Sequence, residues 1–153
     1  MTRQQLLARI ERAWASFIGS YDGLTESQIT GPLVTDVWTV KDIISHVTWW
    51  EEEALKYLPL IAEGGRPPRY SVTYGGVDEF NALMTEQRRE LPLAEVLKHS
   101  DEVHRQLFDY IARIPEDLVT TDTRFRKRLR LDTYGHYPGH AKVIREWRER
   151  TAV

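Results

Sequence analysis

Apolar residues recur at helical spacing through four long segments of this chain, and no run alternates as a half-buried strand would, which restricts the fold to helix packed on helix. In the first segment Leu6, Leu7, Ile10, Trp14, Phe17, Ile18 and Tyr21 mark one face, and Thr2 with Gln5 three residues later has the form of a capping box. Asp22-Gly23 breaks this helix, and the connection through Gly31-Pro32 reads as loop with a short helical turn from Thr25 to Ile29. The second segment is predicted to run from Val40 to Ala62. Thr39 can cap it, Trp38 and Ile43 are spaced for a hydrophobic staple, and Asp42 sits where the helix dipole favours a carboxylate. Glu63-Gly64-Gly65-Arg66-Pro67-Pro68 ends it.

The loop that follows, to Gly75-Gly76, carries Tyr70 and Tyr74 where they can cover a pocket mouth. A short helix over Asp78 to Glu90 leads to Pro92, a kink or a fresh start. The third long helix then buries Leu93, Val96, Leu97, Val103, Leu107, Tyr110, Ile111 and Ile114. Pro115 closes it. The charged run RFRKRLR, Arg124 to Arg130, reads as a solvated loop or edge strand. The last helix begins near Gly135 or His136 and continues through Ala141, Val143, Ile144 and Trp147, with Pro138 in its first turn, where a missing N–H costs little. The expectation is an all-α, four-helix bundle with long connecting loops, in one domain spanning residues 1–153.

Composition narrows the chemistry. With 41% hydrophobic residues in 153 the chain can bury one core. A net charge of -2 gives no global basic field, so nucleic acid is not an expected partner, nor is an anionic membrane. No segment approaches the roughly 20 apolar residues of a membrane span, and the N-terminal MTRQQLLARIERAW is charged where a signal peptide is apolar. The expected location is cytoplasmic. The absence of cysteine removes thiolate catalysis and cysteine-based zinc sites, leaving histidine and carboxylate as metal ligands.

Those ligands have a natural starting point in TYGHYPGHAK, Thr133 to Lys142, where His136 and His140 stand one helical turn apart. Two imidazoles need a third partner to hold a transition metal tightly. His46 is the best candidate, because Ile43, Val47 and Trp50 mark the buried side of its helix. His104 is a fourth ligand or a supporting group, and His99, among charged neighbours, is exposed. The competing reading is architectural: His46 as a hydrogen-bonded core histidine and Gly135-His136 as a helix cap. Trp49 and Trp50 are packing residues or a substrate wall, beside Tyr70 and Tyr74. Tyr134, Tyr137 and one carboxylate of the Glu51 to Glu53 run, with Glu53 as the candidate, are placed to orient substrate or relay protons.

The elements WTVKDIISHVTWWE, the segment Asn81 to Arg88, and TYGHYPGHAKVIREW, occurring in this order along nearly the whole chain, resemble the DinB-like superfamily of bacterial four-helix-bundle proteins, and most of all its colibactin self-protection branch. The resemblance implies an up-up-down-down bundle, a homodimer, and a pocket between the helices. It also implies a divalent metal, zinc or nickel, on one histidine of the second helix and two of the last, positions that His46, His136 and His140 occupy. The implied function is a small-molecule enzyme acting on a reactive or electrophilic compound by hydrolysis or thiol addition. The alternatives are a protein that sequesters a small ligand without turnover and a dimeric stress-related scaffold.

Overall fold

The computed structural model describes residues 1–153 as nine helices: α1 (Arg3–Tyr21), α2 (Glu26–Thr30), α3 (Val40–Ala62), α4 (Tyr70–Thr73), α5 (Val77–Arg88), α6 (Leu93–Arg113), α7 (Asp117–Thr120), α8 (Arg124–Asp132) and α9 (Tyr137–Thr151). Three starts are fixed by complete capping boxes, Thr2 with Gln5, Thr25 with Gln28 and Thr39 with Asp42, each satisfying otherwise orphaned amides at both ends of the exchange. The end of α3 is fixed by its glycines. Gly64 adopts φ 88° and its N–H reaches Ile61 O at 2.9 Å, while the N–H of Gly65 reaches Leu60 O at 2.9 Å, a Schellman closure that a side chain at 64 would strain.

Cross-helix contacts give the directions of the long helices. Arg9 lies over the Tyr134 ring, Arg145 bonds Ser16 and Arg148 bonds Ser20, so α1 and α9 run parallel. Lys41 reaches Leu91 O and Glu51 meets His104, so α3 and α6 run parallel to each other. Arg3 reaches Ile114 O while Glu11 meets His104, which sets α1 antiparallel to α6. The bundle therefore has two helices in each direction, as expected, but its chain order is up, down, down, up in place of up-up-down-down. The segment holding α4 and α5 brings the chain back to the starting level of α3, so α6 repeats that direction.

The charged run is helical, which corrects the reading of RFRKRLR as loop or edge strand. Thr123 caps the N–H of Arg126, and Phe125 and Leu129, four residues apart, are buried at 1% and 0% exposure, while Arg124, Lys127 and Arg130 are exposed and Arg126 and Arg128 are partly buried. Leu97, expected inside, is 37% exposed. Helix α8 lies antiparallel to α3, with Arg124 against the carbonyls of Gly64 and Gly65 and His136 against His46. It continues in the direction of α9, so the two are halves of one broken helix, α8 packed on α3 and α9 on α1.

One core joins these elements. It includes Leu6, Ile10 and Phe17 of α1, Ile43, Ile44, Val47 and Leu58 of α3, Leu107 and Ile111 of α6, Phe125 and Leu129 of α8, and Ile144 and Trp147 of α9. Each such side chain contributes roughly 1.5–3 kcal/mol of burial free energy. No helix is long and apolar enough to cross a membrane.

Candidate metal centre

The break between α8 and α9 is where the two C-terminal histidines are placed. Helix α8 stops at Asp132, and the amide of Gly135 turns back onto Arg130 O at 2.8 Å. A Cβ at 135 would stand 2.7 Å from that same oxygen, so only glycine allows the turn. His136 is then the N-cap of α9, with Pro138 in the first turn, and His140 follows one turn later.

These two rings meet His46, presented from the buried side of α3. Nε2 of His136 lies 3.1 Å from Nε2 of His46 and 2.9 Å from Nε2 of His140. One ring nitrogen offers either a single in-plane proton or a single in-plane lone pair, so His136 Nε2 cannot serve both neighbours fully. Around a tetrahedral ion with Zn–N near 2.05 Å, ligand nitrogens stand about 3.3 Å apart. The two distances from His136 Nε2 thus lie within a few tenths of an ångström of that spacing, and the ligand atoms of all three histidines lie within 4.8 Å of one another, a grouping that could hold a metal ion. The Nδ1 atoms of His46 and His136 are buried without a protein partner, so neither ring is oriented by a hydrogen bond on that side. Aromatic rings fix His46: Trp38 lies 4.4 Å away by ring centroid and Trp49 stands edge-on at 5.0 Å.

Electrostatics agree with a ligand role. Burial, and then His140 and His136, lower His46 to a pKa of about 2. Burial and His140 lower His136 to about 3, and burial lowers His140 to about 4. All three are neutral at pH 7, the state in which imidazole ligates.

His46 and His136 form part of the wall of a cavity of about 370 Å³, shared with Trp50, Tyr70, Val77, Asn81, Arg128, Leu131 and Asp132. Trp50 and Tyr70 are the wall residues expected from sequence. Tyr74 instead packs on Phe80, with ring centroids 4.7 Å apart, behind the wall. Trp49 is 1% exposed and spends its indole N–H on Asn81, so it supports the site without lining it.

The three expected proton-relay residues do not reach the cavity. Tyr134 faces α1 under the Arg9 guanidinium, and Tyr137 is fully buried, its O–H donating to Glu51 Oε2 at 2.8 Å. Glu53 lies behind the wall, accepting the O–H of Tyr70 at 3.0 Å. His104 is not a fourth ligand, since both its nitrogens lie 2.7 Å from carboxylates, Nδ1 from Glu51 and Nε2 from Glu11, with Trp14 stacked on the ring at 3.8 Å. Burial acts to lower the pKa of His104, but the two carboxylates outweigh it and hold the pKa above the usual value. His99 is half exposed beside Glu52.

Three wall residues escaped sequence reasoning. Arg128 and Asp132 are spaced i, i+4 in α8, and Nε of Arg128 donates to Asp132 Oδ2 at 2.6 Å while Nη2 donates to Tyr70 O–H oxygen at 2.8 Å. That i, i+4 spacing is the sequence signal, with Arg128 inside the charged run Arg124 to Arg130 and Asp132 two residues beyond it. Asn81 accepts the indole N–H groups of Trp49 and Trp50 through one oxygen, at 3.1 and 2.9 Å. Its side-chain role had no signal in spacing.

Residues 9–146 match the profile of the DinB superfamily. Among solved structures the chain is similar to one described as sibling lethal factor precursor DfsB, at 16% identity and a TM-score of 0.81, covering 99% of this chain and 97% of that one. It is similar also to the colibactin self-resistance protein ClbS, solved in complex with a dsDNA, at 16% identity and TM-score 0.80 over 97% and 96% of the two chains. An uncharacterised protein from Escherichia coli UTI89 aligns at 14% identity and TM-score 0.83, over 99% and 95%. At these identities the likeness is one of fold. No curated protein matches the sequence.

Proposed function

The chain belongs to the DinB superfamily, and from that premise we propose that it is a cytoplasmic, homodimeric small-molecule enzyme of self-protective type, holding zinc or nickel on His46, His136 and His140. It acts on an electrophilic compound by hydrolysis or thiol addition. The observation that carries this reading is the approach of His136 Nε2 to the Nε2 atoms of His46 and His140, at 3.1 and 2.9 Å, beside a cavity of about 370 Å³ that His46 and His136 line. A divalent ion on three neutral imidazoles supplies Lewis-acid polarisation and acidified water near neutral pH.

The chain's own residues supply the rest. Trp50, Tyr70, Val77 and Leu131 give the cavity apolar surface against which a small organic body loses its hydration. Trp38 and Trp49 hold the His46 ring in one orientation, so binding a ligand requires little rearrangement. Arg128 brings a guanidinium to the wall, restrained by Asp132 and Tyr70.

The test joins metal content to turnover. Protein purified without a histidine tag is expected to retain one zinc or nickel per chain by elemental analysis, and light scattering is expected to give a dimer mass. With 4-nitrophenyl acetate in excess, the loaded protein is expected to turn over many equivalents, and His140→Ala to lose both metal and turnover. Saturation at one equivalent per chain would instead assign a sequestering protein.

A second reading has a specific observation behind it. ClbS is described with bound dsDNA, and α8 exposes Arg124, Lys127 and Arg130 on one side of this bundle. The net charge of -2 runs against it. Anisotropy of a fluorescent duplex at low and raised salt decides the matter, a duplex-binding α8 giving affinity that falls with salt and with alanine at these three positions.

A further inference from the structure

The cavity wall carries a carboxylate with one oxygen that the fold does not use. Asp132 ends α8 at 4% exposure, and Arg128 one turn earlier engages its Oδ2. Oδ1 accepts no hydrogen bond from the protein, and Asp132 lines the cavity together with His46 and His136. A buried charge is costly unless it is paired, and Arg128 provides the pair while leaving Oδ1 available.

The same wall carries an oriented donor. Two indole N–H groups, from Trp49 and Trp50, fix the oxygen of Asn81 and thereby fix its amide orientation. Nδ2 donates to no protein acceptor, and Asn81 lines both this cavity and a second one beside Trp38. Acceptor and donor, both held by neighbours and both unspent, belong to residues that line one cavity with His46 and His136.

We propose that Asp132 is the catalytic base of this cavity, that Arg128 positions it, and that Asn81 holds the acceptor oxygen, carbonyl or ether, of a small electrophile lying on Trp50, Tyr70, Val77 and Leu131. This assignment rests on the enzymatic reading above. In hydrolysis, a water oxygen bonds to the electrophilic carbon as one of its protons passes to Asp132 Oδ1. The electron pair of the breaking carbon–oxygen bond goes to the leaving oxygen, and the proton on Asp132 is returned to it, which restores the carboxylate and consumes one water. Burial, partly offset by Arg128, pushes the Asp132 carboxyl up to about 6, a useful basicity for a group that is ionised at pH 7.

The experiment uses the zinc-loaded full chain with two probes, 4-nitrophenyl acetate as an activated ester and styrene oxide as a strained ring. Asp132→Asn keeps an oxygen for Arg128 to engage. It is expected to retain zinc, to bind the product 4-nitrophenol as tightly as wild type by tryptophan quenching, and to lose on the order of 100-fold in kcat/KM. Formate is expected to restore rate to Asp132→Ala in proportion to its concentration, which a structural role for Asp132 would not produce. Asn81→Ala is expected to raise KM more than it lowers kcat. Turnover by Asp132→Asn within twofold of wild type, with zinc retained and with His140→Ala inactive, overturns the base assignment and leaves the metal reading standing. A zinc-loaded wild type that turns over neither probe overturns both.

Discussion

Replacing His140 by alanine separates a ligand from an architectural histidine, and the structure sets the magnitudes. The ring is half-buried, and its one side-chain hydrogen-bond contact is Nε2 of His136 at 2.9 Å, itself a candidate ligand. In metal-stripped protein the change removes that contact and some packing against the His46 ring, 4.7 Å away by centroid. A loss of this kind costs about 1–2 kcal/mol, or roughly 2–8 °C in a chain of this size at 2–4 °C per kcal/mol. Zinc at a thousandfold excess over its Kd adds about 4 kcal/mol to wild type, a rise of roughly 8–16 °C. With one of three ligands gone, zinc near its new Kd adds only about 0.4 kcal/mol, under about 2 °C. The assay is thermal unfolding by circular dichroism of stripped and zinc-loaded wild type and variant side by side. A variant that keeps the full zinc-induced rise, or whose stripped form falls by more than about 3 kcal/mol, would refute the argument and return His136 and His140 to architecture.

Four further outcomes follow from the same geometry. His104→Ala removes the imidazole held between Glu51 and Glu11, and is expected to cost about 3 kcal/mol by thermal unfolding while zinc content stays unchanged, since no ring nitrogen of His104 faces the triad. Glu51 and Glu11 face His104 and raise its pKa above the ordinary 6.5, so its stabilising contribution is complete below about pH 6.5 and fades as pH rises through the folded value. The stability gap between wild type and His104→Gln should therefore shrink from about pH 6 to pH 9, and a gap that widens would reverse the assignment. Gly135→Ala forces a Cβ onto Arg130 O at 2.7 Å, with an expected cost of about 1–3 kcal/mol and weakened zinc retention because the turn that seats His136 opens. An apolar phenol is expected to quench tryptophan fluorescence at Trp50, with the quench removed in Trp50→Phe and kept in Trp14→Phe.

The parts of the fold legible in the sequence are those decided within a few residues. Thr39 and Asp42, Gly64 and Gly65, and Gly135 with Pro138 act on their own backbone, so the starts of α3 and α9 and the end of α3 could be read to within a residue or two. Helix directions could not, because they depend on contacts such as Arg3 with Ile114 and Arg145 with Ser16, between residues more than a hundred positions apart. Arg128 and Asp132 were missed for a different reason. Charge dominated the reading of RFRKRLR, although Phe125 and Leu129 inside it already had the spacing of a buried helical stripe.

For Tyr137 and Glu53, two of the three misplaced relay residues, helical geometry carries part of the explanation; Tyr134 lies in the turn between α8 and α9, outside any helix. At about 100° per residue, His136 and His140 lie about 40° apart around a helix axis, whereas Tyr137 lies about 100° from His136. Tyr137 is also about 60° from His140, so it stands to one side of the pair, and the structure gives it Glu51 as partner in the buried interior. On α3 the same arithmetic puts Glu51 about 140° from His46, toward the interior network, and Trp50 about 40° away, on the cavity wall. Glu53 lies within about 20° of His46 but two turns along, roughly 10.5 Å, too far to share a reacting atom with it. That distance is bridged from outside α3: Tyr70 links Glu53 to Arg128, and Arg128 holds Asp132. The carboxylate able to act beside the histidines thus comes from α8, the other half of the broken helix that carries His136 and His140.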